Sequence, residues 1–598
     1  MIFLFRFIEA QIMLNYHLQP HSLTQHLWQV RLSFTQLDNQ NFSLSLPSWV
    51  PGSYMIRDFA RHIVTLSASC NNTPASAEQI NKNTWACNGQ VGKWEITYLV
   101  YAFDTSVRGS FLNTERGFFD GACLFLRHNQ REQENCQLII TGLPENWDIA
   151  TTMPQTSQPH VYQVNNYRSL IDYPVEMGYL LRLPFSAGGI EHEIVISGHF
   201  SSFDQQRLVD DVSKICASEI AMFAAPAPFE RYSFLLFVGN GIYGGLEHKS
   251  SSALMADRHD LPQKDGKNTD AYITLLGLFS HEYFHAWNVK SIIPSAFLNS
   301  KLDDEAYTQL LWAFEGITSY YDDWFLVRSG VITPEQYLQL LAKTITRVQQ
   351  GAGRLKQSLA DSSLTAWTKY YKQNENSANS IVSYYQKGAL AALCLDHYIR
   401  RHTGQQKNLD DIMRALYQDW RQRGMGLAEN EWLKIAQQAT GTDLTQVYRQ
   451  YIMTTADLPL AEQLQQAGVQ LHWAALPRQH GGAYVEHYSA AEQPSADLGA
   501  RVQPSSFGVT LQQVFNQGSA ENAGMCAGDQ LIAFNDEIIT DFNKQWARIH
   551  VGETVQIHFI RDGLLRQTTL QAQATLTDTA LLSIDDILLL QQWLQPQS

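Results

Sequence analysis

His281-Glu282-Tyr283-Phe284-His285 is an H-E-x-x-H motif inside a stretch with the periodicity of a helix. From Ala271 to Val289 there is no proline and one glycine, and Ile273, Leu276, Phe279, Tyr283, Phe284 and Trp287 recur at helical intervals. Residues i and i+4 share a helix face, so the imidazoles of His281 and His285 can address one cation. Glu282, one residue along, can reach a water beside that cation without ligating it. Two imidazoles and one carboxylate, with a fourth position open, suit zinc. The chemistry such a set supports is hydrolysis of a peptide bond.

The third ligand has to come from elsewhere. A metzincin continuation needs Gly and His at fixed places after the second histidine, and Asn288 and Ser291 stand there, so that class is excluded. The best candidate is Glu315, in Leu310-Leu-Trp-Ala-Phe-Glu-Gly-Ile-Thr-Ser-Tyr-Tyr321, a lone carboxylate in an apolar and aromatic helical run. An ionised carboxylate buried without a partner costs several kcal/mol, so such a residue is paired or metal-bound; a buried arginine is the competing partner. Gly316 removes a side chain where metal or substrate crowds the helix. Asp303, Asp304 and Glu305 lie in a polar stretch with the character of a solvated loop, and Asp322 or Asp323 is a candidate partner for a ligand histidine.

His281 to Lys290 and Trp312 to Tyr321 together resemble the M61 glycyl aminopeptidase family, a gluzincin family related in its catalytic domain to M1 aminopeptidases and thermolysin. Gly244-Gly245-Leu246-Glu247-His248 resembles the G-x-M-E-N loop of M1 enzymes, and Tyr385-Gln386-Lys387-Gly388 resembles their Y-x-K-G segment. The resemblance extends to Leu46-Pro-Ser-Trp-Val-Pro-Gly-Ser-Tyr-Met-Ile-Arg57 and to a PDZ-like C-terminal module. It implies zinc held by His281, His285 and Glu315, with Glu282 as general base. It also implies that Tyr385 is the donor to the oxyanion, that Gly244 and Gly245 offer backbone to the substrate, and that Glu247 binds its amino terminus. Two positions depart from the related patterns: His248 stands where M1 enzymes carry Asn, and Ser319 where thermolysin-like motifs carry an Asp that orients a histidine.

Composition bounds the rest. The chain of 598 residues has length for about four domains, and 44 % hydrophobic with 17 % charged residues describes a globular protein. A net charge of −15 with no dense Lys/Arg stripe argues against nucleic acid as a partner. Seven cysteines at irregular spacing form no C-x-x-C pair, which points to a reducing compartment and a cytoplasmic location. No uninterrupted apolar run reaches membrane-spanning length, so no membrane is expected as a partner. Met1 to Leu14 is apolar only in part, and Met13 is an alternative start.

The expected architecture is multidomain α+β. A β-sandwich-like domain covers residues 14–198, and a mainly helical, thermolysin-like catalytic domain covers 199–458, with Tyr232–Val238 as an edge strand and Lys356–Ser380 as a surface loop. A linker follows over 459–495. A PDZ-like domain spans 496–575, with Ser505-Ser506-Phe507-Gly508 as its carboxylate-binding loop, and a tail over 576–598 reads as an amphipathic helix from Asp578. The expected activity is a zinc aminopeptidase acting on peptides, with the resemblance implying Gly or Ala at the amino terminus. The alternatives are an endopeptidase to which the PDZ module presents substrates, and a non-catalytic PDZ-type peptide-binding protein.

Overall fold

The computed structural model describes residues 13–489 and 494–595. The stretch before the alternative start at Met13 lies outside them. The chain forms two compact units: one runs to Tyr307 and includes Tyr417–Ala428, the other comprises Thr308–Leu416 and the chain from Glu429 onward.

In the first unit, alternation of buried and open residues builds the N-terminal β-rich domain. Leu27–Gln36 and Gly92–Tyr101 each bury every second side chain and pair antiparallel in a seven-stranded sheet. A second sheet of five strands runs in the order Leu181–Ala187, Ile190–Gly198, Arg231–Gly239, Ser251–Asp257 and Gly244–Glu247. Its three inner strands are parallel and, as expected of parallel strands, nearly continuous in burial over Arg231–Gly239 and Ser251–Asp257. Two expectations change here. Tyr232–Val238 is central rather than at an edge, because its partners lie beyond intervening helix and loop. Residues 181–198 belong to this sheet rather than to the β-rich domain, since alternation reports a half-buried strand but not which sheet it joins.

The helix Asp270–Phe284 packs on that sheet. Thr269 caps it, its Oγ1 accepting from Tyr272 N at 3.1 Å. Phe279 meets Phe234 at 5.0 Å between ring centroids, and Tyr283 meets Tyr232 at 4.8 Å. The helix ends at His285, four residues short of Val289, because the chain turns back there: Lys290 N donates to His285 O and Ile292 N to Trp287 O.

In the second unit, a π-helical segment Trp312–Gly316 runs into the helix Ile317–Arg328, which lies beside Gln386–His402. The stretch 356–380, expected as a loop, carries short helices at Leu359–Leu364 and Ser377–Ser380. The linker, expected to carry some structure of its own, has a helix Leu460–Gln466 and a strand Val469–Ala474. That strand pairs antiparallel with Thr579–Ile584, so the tail is a strand followed by the helix Ile587–Leu594. Leu581, Ile584, Ile587 and Leu588 mimic a helical stripe, and only the distant partner strand reveals the β pairing. The PDZ domain is a sheet with Ala500–Pro504 at one edge, packed on a core that includes Leu511, Leu531, Val555, Ile557 and Leu570. Residues 505–508 form the turn between Ala500–Pro504 and Val509–Val514, and Gly508 lines the groove beside Ala500–Pro504. Among the described residues no helix is long and apolar enough to cross a membrane.

Candidate active site

Helix geometry does for His281 and His285 what the spacing requires: their Nε2 atoms lie 3.1 Å apart. His285 Nδ1 sits 2.7 Å from Asn288 O, and because a carbonyl only accepts, Nδ1 carries the proton and Nε2 presents its lone pair. Two imidazoles on one tetrahedral zinc, at Zn–N distances near 2.05 Å, stand about 3.3 Å apart. The donor set therefore fits the metal that the motif implies.

Glu282 and Glu247 complete the cluster in this unit. Glu247, Glu282 and His285 each offer a ligand atom within 4.8 Å of the others. Both carboxylates are buried, and Glu282 Oε2 and Glu247 Oε1 have no hydrogen-bond partner among the described atoms. Burial, reinforced by Glu247, pushes the Glu282 carboxyl up to about 7 against the pull of His281, His285 and Arg108. Orphaned oxygens of this kind call for cations, and a metal ion and a substrate ammonium are the two that peptide hydrolysis brings. The backbone is shaped to allow the crowding. A Cβ on Gly245 would come within 2.5 Å of Glu282 Cγ, so only glycine leaves the Glu282 carboxylate its place. Arg108 Nη2 donates to Gly245 O at 2.8 Å, fixing the strand Gly244–Glu247 from the β-rich domain.

A charged group that the sequence did not reveal surrounds the turn after Glu247. His248 is buried, with Nδ1 3.6 Å from Asp172 Oδ1 and Nε2 3.8 Å from Asp120 Oδ2. Lys290 Nζ donates to Asp172 Oδ1 at 2.6 Å, and Lys249 N donates to Asp172 Oδ2 at 3.2 Å. Burial raises the Asp120 carboxyl to about 6, while Lys290 and His248 hold Asp172 below its usual range despite its burial. Lys290 lies within the motif segment, in the turn after the helix. Asp120 and Asp172 sit in a distant domain with no local signature.

In the second unit, Glu315 is buried on the π-helical segment, a geometry that often marks functional sites. Tyr384 is fully buried, and its hydroxyl is pushed well above the usual tyrosine range by burial, by Tyr371 and by Glu315. Tyr385 is half-buried instead, its hydroxyl 3.3 Å from that of Tyr371. The two neighbours, indistinguishable by residue type, thus differ in access. Gly316 and Gly388 explain each other: a Cβ on Gly316 would lie 2.6 Å from Gly388 Cα and 2.7 Å from Tyr384 O, so the two backbones touch. Position 319 holds no orienting carboxylate, and the buried acids nearby have other duties. Asp396 pairs with Arg400, and Asp410 pairs with Arg328 and accepts from Tyr321.

Comparison with known proteins gives matches along most of the chain. The Peptidase M61 N-terminal domain matches residues 15–179, the M61 glycyl aminopeptidase family 274–391, and the PDZ domain 496–571. Among solved structures, an aminopeptidase N family protein from Idiomarina loihiensis is 38 % identical with a TM-score of 0.92, covering 98 % of this chain and 100 % of that one. An M1 zinc metallopeptidase from Deinococcus radiodurans is 14 % identical with a TM-score of 0.45, over 75 % of this chain and 95 % of that one. No curated protein matches the chain.

Proposed function

Because the chain belongs to the M61 glycyl aminopeptidase family and is a zinc metallopeptidase, we propose that it removes single residues from the amino terminus of peptides, preferring glycine and alanine. One zinc ion per chain is held by His281, His285 and Glu315. When bound, zinc polarises the scissile carbonyl and makes water nucleophilic near neutral pH. Glu282 takes a proton from the attacking water at its orphaned oxygen and returns it to the leaving amine. Glu247 receives the substrate ammonium, and Gly244 and Gly245 lay bare backbone along the peptide. Tyr385 donates to the oxyanion, a contribution of about 3–4 kcal/mol in comparable sites.

The observation that carries this reading is the grouping of Glu247 with Glu282 and His285, atoms within 4.8 Å of one another. A second carboxylate so close to the base has no part in cleaving an internal bond, but it is what a free amino terminus requires. The test is a panel of glycyl, alanyl and leucyl chromogenic amides, with their N-acetylated counterparts, with and without chelator. Rapid cleavage of the free glycyl and alanyl amides alone, abolished by chelator, is expected. Equal cleavage of the acetylated forms would instead establish an endopeptidase.

The PDZ domain supports a second binding role. Ala500–Pro504 is an edge strand facing the helix Phe542–Trp546 across a groove of about 700 Å3 that includes Val502, Val509, Phe542, Trp546 and Ile549. An extended peptide is proposed to add there as a further strand. All seven cysteines are free thiols, in keeping with the cytoplasm as the proposed location.

A further inference from the structure

The segment 46–57 was singled out by its sequence but has no part in the reaction as described. Its turn lies directly on Glu247. Gly52 has φ +96°, and a Cβ there would come 2.6 Å from Glu247 Oε2 and 2.7 Å from Cδ. The turn is anchored along its length. Ser48 O accepts from Arg57 N at 2.8 Å, Ser53 N donates to Val50 O at 2.9 Å, and Arg57 Nη2 donates to Ser53 Oγ at 2.9 Å. Ser48 N reaches Leu302 O at 2.7 Å, Trp49 Nε1 reaches Asp304 O at 3.0 Å, and Tyr54 stacks on Phe297 at 5.2 Å. Ser48, Trp49, Ser53 and Tyr54 are each no more than 1 % exposed.

From this contact we propose that Gly52 is the positioning residue of the amine pocket: the turn backs the Glu247 carboxylate and fixes the direction in which it meets the substrate ammonium. The inference rests on Glu247 being the amine anchor. Side-chain rotation of Glu247 is closed off on the Gly52 side, so its ordering cost is met in the folded enzyme rather than on binding. The positive φ favours glycine, and the nearness of the Glu247 carboxylate leaves no room for a Cβ while that carboxylate stays in place. Gly52 acts only through Glu247 and touches no reacting atom.

The test compares glycine hydroxamate with acetohydroxamate as inhibitors, a pair that differs by the amine, on zinc-loaded full-length enzyme. The wild type is expected to prefer the amine form by about 10- to 100-fold. Gly52→Ala should bring the two inhibitors to within about twofold of each other, and in the Glu247→Ala background Gly52→Ala should add no change beyond about twofold. A merely structural role would give additive losses in the double variant. Should Gly52→Ala fail to fold, the Gly52→Ala/Glu247→Ala pair, where the methyl has room, must fold; failure of both overturns the inference. Amine preference that survives intact in a folded Gly52→Ala also overturns it. A wild-type enzyme indifferent to the amine overturns the anchor assignment itself, and this inference with it.

Discussion

Gly316→Ala adds one methyl group at the point where two backbones cross. The new Cβ would lie 2.6 Å from Gly388 Cα and 2.7 Å from Tyr384 O. Carbon atoms rest about 3.5–4.0 Å apart, so the segments must separate by about 1 Å. Overpacking of this kind costs about 1–3 kcal/mol. Glu315 precedes Gly316 and Tyr385 lies three residues before Gly388, so the movement is delivered to the proposed ligand and the proposed oxyanion donor together. A misplacement of about 1 Å can lower a rate by about 100-fold. The expectation is a zinc-loaded, folded Gly316→Ala with kcat reduced by about that factor, KM changed much less, and a melting temperature a few degrees lower. Steady-state kinetics on a glycyl amide, thermal melting and metal analysis of the same sample measure all three. A folded variant with wild-type kcat would refute the reasoning. Gly388→Ala, whose Cβ would lie 2.9 Å from Gly316 Cα, should behave in the same way.

Glu282→Gln should lower kcat by at least about 100-fold while zinc stays bound, as measured by elemental analysis; loss of metal would reassign the residue as a ligand. Tyr385→Phe should lower kcat by about 100- to 1000-fold with a smaller change in KM, and Tyr384→Phe should not, which steady-state kinetics on both variants decides. Asp120→Asn tests the buried charge beside His248. Because burial raises the folded-state pKa from 3.8 to about 6, the unfolded chain releases this proton first, and wild-type stability falls as pH rises across that interval. Asn keeps the hydrogen bond that Asp120 Oδ1 accepts from Ala122 N. The variant's advantage in urea unfolding should therefore grow between pH 3.8 and about 6 and then level, at a ceiling on the order of 2–3 kcal/mol. A difference independent of pH would refute the assignment.

Local chemistry made much of this protein legible in its sequence. The spacing of His281 and His285 is a helical period, and one face of a helix is set by neighbours in the chain. Gly316 beside Glu315 is likewise readable as a place where a side chain would not fit, though not as to what fills the space. Periodicity also located the helix carrying His281 and His285 and the alternating strands of the β-rich domain. It failed where two structures share one pattern: Thr579–Ile584 carries a stripe compatible with a helix and forms a strand because Val469–Ala474 is there to pair with it.

What the sequence alone determined is the reactive motif, the succession of β-rich, helical and PDZ segments, and the residue types a zinc peptidase needs. The tertiary structure decided which strand sits at the sheet centre, which of two adjacent tyrosines is accessible, and what stands behind Glu247. What stands behind Glu247 and beside His248 depends on Gly52, Asp120 and Asp172, which lie 195, 127 and 75 positions from Glu247 along the chain. Proximity of that kind is created by folding, and local periodicity carries no information about it.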